Sequence, residues 1–140
     1  MEDLSLHILD IVENSLRAKA TSVVIRLTEN PTSDTLVLEI IDDGEGMDEE
    51  AVHYSLDPFY TTKSGKKVGL GLPFLAQSAE EAGGSVRVES AIGEGTRITA
   101  AFKRSHIDRK PLGKLEETLR TLKATHPEVR FSFEHLMTDG

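Results

Sequence analysis

Leu36-Val37-Leu38-Glu39-Ile40-Ile41-Asp42-Asp43-Gly44-Glu45-Gly46-Met47 runs from an apolar stretch straight into two carboxylates and two glycines. The valine, leucine and isoleucine run reads as a largely buried strand, and Asp-Gly with a second glycine two places on reads as a tight turn. A carboxylate therefore stands at the end of a buried strand beside backbone that lacks side chains. Such an arrangement suits a flat, hydrogen-bonding ligand: Asp42 can accept from an exocyclic amino group, while Gly44 and Gly46 let a ring approach the main chain. The same D-x-G-x-G pattern also describes a plain strand-ending turn.

Upstream, apolar residues at Leu4, Ile8, Ile11 and at Leu9, Val12, Leu16 give helical periodicity from Glu2 to about Ala18. Asp10, Asn14 and Arg17 are spaced i, i+4, i+7 and share one face of that helix. Ser22 to Thr28 reads as a strand and Asn30-Pro31-Thr32-Ser33-Asp34 as a turn, so strand, turn and strand predict a hairpin. Downstream, Asp48 caps a short helix to about Leu56. Asp57 to Lys67, with Gly65, Lys63, Lys66 and Lys67, reads as a mobile basic loop. Gly71 to Ala82 predicts a helix with Pro73 in its first turn and Gly83-Gly84 at its end. Ser85–Ser90 and Thr96–Lys103 predict two more strands. Arg104 to Gly113 reads as a linker, Leu115, Leu119 and Leu122 mark a helix ending near His126-Pro127, and Glu128 to Glu134 alternates as a final strand.

Asp10-Ile11-Val12-Glu13-Asn14, the Asp42–Met47 segment, Asp57-Pro58-Phe59-Tyr60-Thr61-Thr62-Lys63 and Gly69-Leu70-Gly71-Leu72 follow one another in a diagnostic order. In order and spacing they resemble the N, G1, F and G2 boxes of the GHKL ATPases, shared by histidine kinases, gyrase and MutL-type mismatch-repair proteins. Gly93-Glu94-Gly95-Thr96 is similar to the glycine-threonine segment that follows in histidine kinases. The resemblance covers about residues 1 to 103. It implies the Bergerat ATP-binding fold: an α/β (α+β) two-layer sandwich with a mixed, mainly antiparallel sheet and helices on one face. The expected organisation is an ATPase domain over residues 1–104 with a C-terminal extension, 105–140, packed on it.

The same resemblance implies ATP and Mg²⁺ as ligands. It gives Asp42 the adenine amino contact, counts Gly44, Gly46, Met47 and Thr96 among the nucleotide-binding residues, and gives Asn14 the magnesium ion. Amide oxygen is a suitable hard donor for that cation. Gly69, Leu70, Gly71 and Leu72 would present backbone N–H groups and a helix N-terminus to the phosphates, joined by Lys63 and Arg17. Asp10 stands where gyrase and mismatch-repair relatives carry the glutamate that activates water. Its carboxylate is one methylene shorter, so it is read as a catalytic base acting through a water, as a metal-tuning group, or as a solvated helix-face residue.

At 140 residues one domain is expected, and 38% hydrophobic against 29% charged residues suits a globular chain. No run approaches the roughly 18 apolar residues of a membrane helix, and no signal peptide is apparent, so a cytoplasmic protein is expected. With no cysteine, disulfides and thiol catalysis are excluded. A net charge of −8 argues against general nucleic-acid binding. None of the five histidines has metal-ligand spacing or heads a helix-borne phosphoacceptor motif, and the helical dimerisation domain that carries that motif is not in the sequence. A phosphoacceptor is then expected on a partner protein, with homodimerisation left open. The expected activity is that of a histidine-kinase or anti-sigma-factor-kinase type protein acting in trans. The alternatives are a nucleotide-gated binding module and a gyrase- or MutL-like ATP hydrolase.

Overall fold

Burial alternates along Ser22–Asn30 and Thr35–Asp42, with every second residue buried from Val23 to Glu29 and from Leu36 to Ile40, which is what a sheet with one covered face requires. These are strands β1 and β2 of a computed structural model that describes residues 4–56, 71–106 and 110–138. Helix α1 (Leu4–Arg17) precedes them. Helices α2 (Glu49–Tyr54) and α3 (Gly71–Glu81) follow, then β3 (Ser85–Ala91), β4 (Gly95–Lys103) and a 3-10 turn at Arg104–His106. Helix α4 (Lys110–Thr125) and strand β5 (Arg130–Met137) complete the described chain.

The strands form one sheet in the order β3-β4-β2-β1-β5. Three pairings are antiparallel and β1–β5 is parallel, the mixed, mainly antiparallel sheet expected. The predicted hairpin is present, with Asn30 opposite Thr35. Helix α1 lies against both α3 and α4. Its buried Ile8, Ile11 and Val12 join Val23, Ile25, Leu27, Leu36, Leu38 and Ile40 in one core with Leu75 of α3 and Leu119 of α4. Each such side chain stabilises the fold by about 1.5–3 kcal/mol when buried. The opposite face is polar: Arg26 bridges Glu39 and Glu134 at 3.4 and 3.3 Å, and Arg97 also pairs with Glu39.

Local chemistry ends the elements where the sequence indicates. Ala20 N–H donates to Ser15 O at 3.1 Å and Lys19 N–H to Leu16 O at 3.0 Å, closing α1 through a left-handed Lys19 with φ 63°. Asp48 caps α2, its carboxylate accepting from Ala51 N–H at 2.8 Å. Gly84 N–H reaches back to Ala79 O at 2.7 Å to stop α3.

The C-terminal part departs from expectation. Arg104–His106 is a 3-10 turn, and α4 begins at Lys110, before Pro111 and Gly113. A proline in the first turn costs no helical hydrogen bond, because the first N–H groups have no intrahelical acceptor. Asp34 organises the turn: its carboxylate accepts from Ser105 N–H at 2.9 Å and Ser105 Oγ at 2.7 Å, and its carbonyl accepts from Arg104 N–H at 3.0 Å. The last strand starts at Arg130 and continues to Met137, because β1 offers a parallel partner along its whole length. Fully buried Glu29 ties these pieces together, accepting from Arg104 Nε at 2.9 Å and lying 2.5 Å from His135 Nε2.

Candidate functional site at the end of the second strand

Asp42 is the last residue of β2, opposite Val23 of β1 and Thr96 of β4. Its Oδ1 accepts from Gly44 N–H at 2.9 Å, and its Oδ2 accepts from Ser15 Oγ at 2.6 Å. Ser15 is buried, and its hydroxyl also lies 3.4 Å from Ile11 O. The carboxylate is thus fixed by one donor from its own turn and one from α1. Ser15 was not singled out in the sequence, although a signal was there. It continues the apolar stripe of Ile8, Ile11 and Val12, where a hydroxyl needs a buried partner.

The turn after Asp42 is held from both sides. Glu45 N–H donates to Ala18 O at 2.8 Å at the end of α1, and Glu45 O accepts from Gly93 N–H at 2.7 Å in the β3–β4 turn. Ser90 Oγ accepts from Met47 N–H at 2.8 Å, donates to Gly95 O at 2.8 Å and lies 2.9 Å from Thr96 Oγ1. A hydroxyl has one proton to give, so Thr96 is the donor to Ser90. A hollow of about 320 Å³ opens beside this turn, lined by Asp42, Ser90, Gly95 and Thr96 and, from the polar face of the sheet, by Ile41, Glu89 and Arg97. That is the low end of the ~300–1,000 Å³ usual for small-molecule sites.

The glycines have a tighter role than ring approach alone. A Cβ on Gly44 would sit 2.9 Å from Ala18 O, and one on Gly46 would sit 2.0 Å from Ala91 O. Gly46 also has φ +76°. Both glycines are what allow the turn to pack against α1 and the β3–β4 turn.

On α1, Asn14 and Arg17 are joined as their shared face predicts: Arg17 Nη1 donates to Asn14 Oδ1 at 2.7 Å, while Nη2 lies 3.8 Å from Glu13. Asp10 is partly buried one turn earlier. Leu72 packs its side chain into the core, so only its backbone could serve a ligand. Gly71 is the first residue of α3. Lys63, Gly69, Leu70 and the predicted basic loop lie outside the described residues. Among the described residues no His, Asp and Glu side chains group as a ready-made metal cage, and no helix is long and apolar enough to cross a membrane.

Next to Asp42, Asp43 is exposed and structural: it accepts from Thr21 N–H at 2.7 Å, Thr21 Oγ1 at 2.6 Å and Ser22 N–H at 2.9 Å. The Thr21 hydroxyl, aided by the Ser22 and Thr21 amides, holds its carboxyl below the usual carboxylate range, against a smaller opposing effect of burial. A depressed folded-state value stabilises the protein above the unfolded value, and that stabilisation is lost as pH falls through the folded value. Asp43→Asn is therefore expected to cost about 0.5 kcal/mol near neutrality, solvent screening keeping it small. The difference from wild type should shrink as pH falls below the ordinary aspartate value of about 3.9 and vanish once the folded-state carboxyl is protonated. Thermal melts of both proteins across this range check it; a gap that persists in acid would show that the charge of Asp43 is not what stabilises.

Comparison with known proteins agrees with this architecture. The family model "Histidine kinase-, DNA gyrase B-, and HSP90-like ATPase" matches residues 2–106. The chain is similar to Sporulation kinase C of Bacillus subtilis, 32% identical over 88 residues that make up 63% of this chain and 20% of that protein. It is also similar to Nitrogen regulation protein NtrY of Azorhizobium caulinodans, 36% identical over 80 residues, 56% of this chain and 10% of the relative. Sensor protein kinase PilS of Pseudomonas aeruginosa is 41% identical over 68 residues, 45% and 13% of the two chains. The matches span a fifth or less of the length of these relatives. With a family match over most of its length and a mixed sheet under a helical layer, this chain belongs to the histidine kinase-, DNA gyrase B- and HSP90-like ATPase family.

Proposed function

We propose that this chain binds Mg-ATP at the Asp42 end of its sheet and phosphorylates or regulates a partner protein, in the manner of a histidine-kinase type ATPase domain. The observation that carries the reading is the Asp42 carboxylate, anchored by Gly44 and by Ser15, the residue that follows Asn14 on α1. Asp42 would accept from the adenine amino group, with Gly44, Gly46, Met47 and Thr96 shaping the turn around the base. The donor set suits magnesium: Asn14 presents a hard amide oxygen whose second lone pair remains beside the one Arg17 uses. Asn14 would hold the ion, which when bound neutralises charge on the phosphate oxygens. Arg17 is exposed and able to turn from Asn14 toward phosphate, and Lys63 with the Gly69–Leu72 backbone would complete the phosphate contacts.

In transfer, an oxygen or nitrogen of the partner attacks the γ-phosphorus, the bond to the β–γ bridging oxygen breaks, and ADP leaves. Positioning and charge stabilisation supply most of the rate in such reactions. Asp10 is the candidate to take the attacking group's proton through a water. None of the five histidines heads a phosphoacceptor motif, which supports an acceptor on the partner protein. The short side chain of Asp10 favours a second reading, in which ATP binding regulates a partner without useful hydrolysis. Transfer of labelled phosphate to a copurifying protein separates the two.

Calorimetric titration of ATP with magnesium and with chelator tests the site. Wild type is expected to bind about tenfold more tightly with magnesium, a gain of about 1.4 kcal/mol. Asn14→Ala should bind ATP with no such gain, and neither protein should form appreciable ADP alone. Absence of binding by wild type, or a magnesium gain undiminished in Asn14→Ala, would refute the assignment.

A further inference from the structure

We propose that β5 is a dimerisation edge, pairing antiparallel with the same strand of a second copy of this chain. It is an end strand of the sheet, and among the described residues no strand pairs with its outer side. The other end strand, β3, has α2 packed beside it and carries Arg87 and Glu89 exposed. Strand β5 also touches a helix, α4, and carries Arg130 and Glu134 exposed, charges that a partner strand has to match. Its eight residues, Arg-Phe-Ser-Phe-Glu-His-Leu-Met, contain neither proline nor lysine, two of the devices that keep an edge from pairing. Of the three large apolar side chains exposed among the described residues, two close this strand: Leu136 at 43% and Met137 at 56%.

The direction of the backbone groups selects the register. Arg130 N–H donates to Thr21 O and Thr138 N–H to Glu29 O, so even-numbered residues turn their amides toward β1. Phe131, Phe133, His135 and Met137 turn theirs outward, because lateral direction alternates along a strand. A two-fold axis at Phe133 sets Phe133 against its copy and Phe131 against His135, and these pairs make about six inter-chain bonds. On the other face Leu136 covers the stem of the second copy's Arg130, and Ser132 meets Glu134. Arg130 is then diagonal to Glu134 of the second copy, within reach of long side chains at about 7–8 Å. Moving the axis to Glu134 sets like charges face to face. Moving it to Ser132 pairs only the first half of the strand and leaves Leu136 and Met137 uncovered. The Phe133 register pairs the outward amides of Phe131, Phe133 and His135, opposes no like charges and lays Leu136 on the stem of the second copy's Arg130, an isologous contact.

Antiparallel pairing makes a ten-stranded sheet and puts the two Asp42 sites at opposite ends of it, so neither site blocks the other. Sedimentation velocity of the full chain from micromolar to sub-millimolar concentration tests this. A concentration-dependent dimer is expected. Leu136→Arg, facing the second copy's Arg130, should raise the dissociation constant at least about tenfold. Leu136→Glu, facing the same arginine, should keep the dimer. Leu136 is exposed, so neither change threatens the fold, which circular dichroism verifies. A wild type that stays monomeric throughout, a dimer indifferent to Leu136→Arg, or one lost equally in both variants overturns the proposal; monomeric wild type would leave the edge to another polypeptide.

Discussion

Asp42→Asn is expected to lower Mg-ATP affinity by on the order of 100-fold while shifting the melting temperature by only a few degrees. The two readouts part because the replacement fits the protein but not the ligand. Asparagine can keep its oxygen on Gly44 N–H and turn its amide toward Ser15 Oγ, which then accepts and passes its own proton to Ile11 O, already 3.4 Å away. Inside the fold every polar atom keeps a partner. For the adenine amino group the change is of opposite kind, since a charged acceptor becomes an N–H donor and two donors face each other. A hydrogen bond to a charged group is worth about 1.5–3 kcal/mol, and leaving both partners unsatisfied adds to the loss. Calorimetry for binding beside scanning calorimetry for stability makes the measurement. Unchanged affinity would remove Asp42 from the nucleotide site. Lost affinity with a collapsed melting temperature would make it a structural residue.

Much of this arrangement was legible because it is local. Helical period, hairpin turn, Asp48 cap and the Gly83-Gly84 stop are each written in a few neighbouring residues, and the structure places them where the sequence does. Asn14 and Arg17 were expected on one face and are hydrogen-bonded there. What escaped depends on contacts distant in sequence. Ser15 meets Asp42 across 27 positions, and Glu29 meets His135 across 106. Yet Glu29 follows Val23, Ile25 and Leu27 in the alternation, so its inward direction could have been read; its partners could not. The same holds for β5. Its alternation marks a strand, but parallel pairing with β1 and extension to Met137 come from a partner about a hundred residues earlier. The start of α4 before Pro111 shows the opposite failure, a breaker residue in the one turn that tolerates it. The glycines of the Asp42 turn read in the sequence as room for a ligand, and their neighbours Ala18 and Ala91 demand room there too, a constraint from distant contacts.

Gly46→Ala should therefore be among the most damaging single-methyl additions in the chain. At φ +76° an alanine pays about 1–2 kcal/mol for the left-handed backbone alone. Its Cβ would also stand 2.0 Å from Ala91 O and 3.2 Å from Gly95 O, atoms of backbone that cannot rotate away. Separating the two segments costs about 1–3 kcal/mol more. It also strains the bonds that clamp the turn, Met47 N–H to Ser90 Oγ and Gly93 N–H to Glu45 O. Together this is a substantial part of the ~5–15 kcal/mol that holds a typical domain, and a fall in melting temperature on the order of 10 °C is expected. Gly93→Ala isolates the backbone share, because Gly93 has φ +80° but nothing within 4 Å of its added Cβ. It should melt only a few degrees below wild type and, if the site assignment holds, retain Mg-ATP binding. In Gly46→Ala the displaced turn carries Asp42, Gly44 and Met47 with it, so affinity should fall even at temperatures where the protein stays folded. Equal melting temperatures for the two variants would mean that the close approach to Ala91 relaxes at no cost, and that the turn is held less tightly than its hydrogen bonds imply.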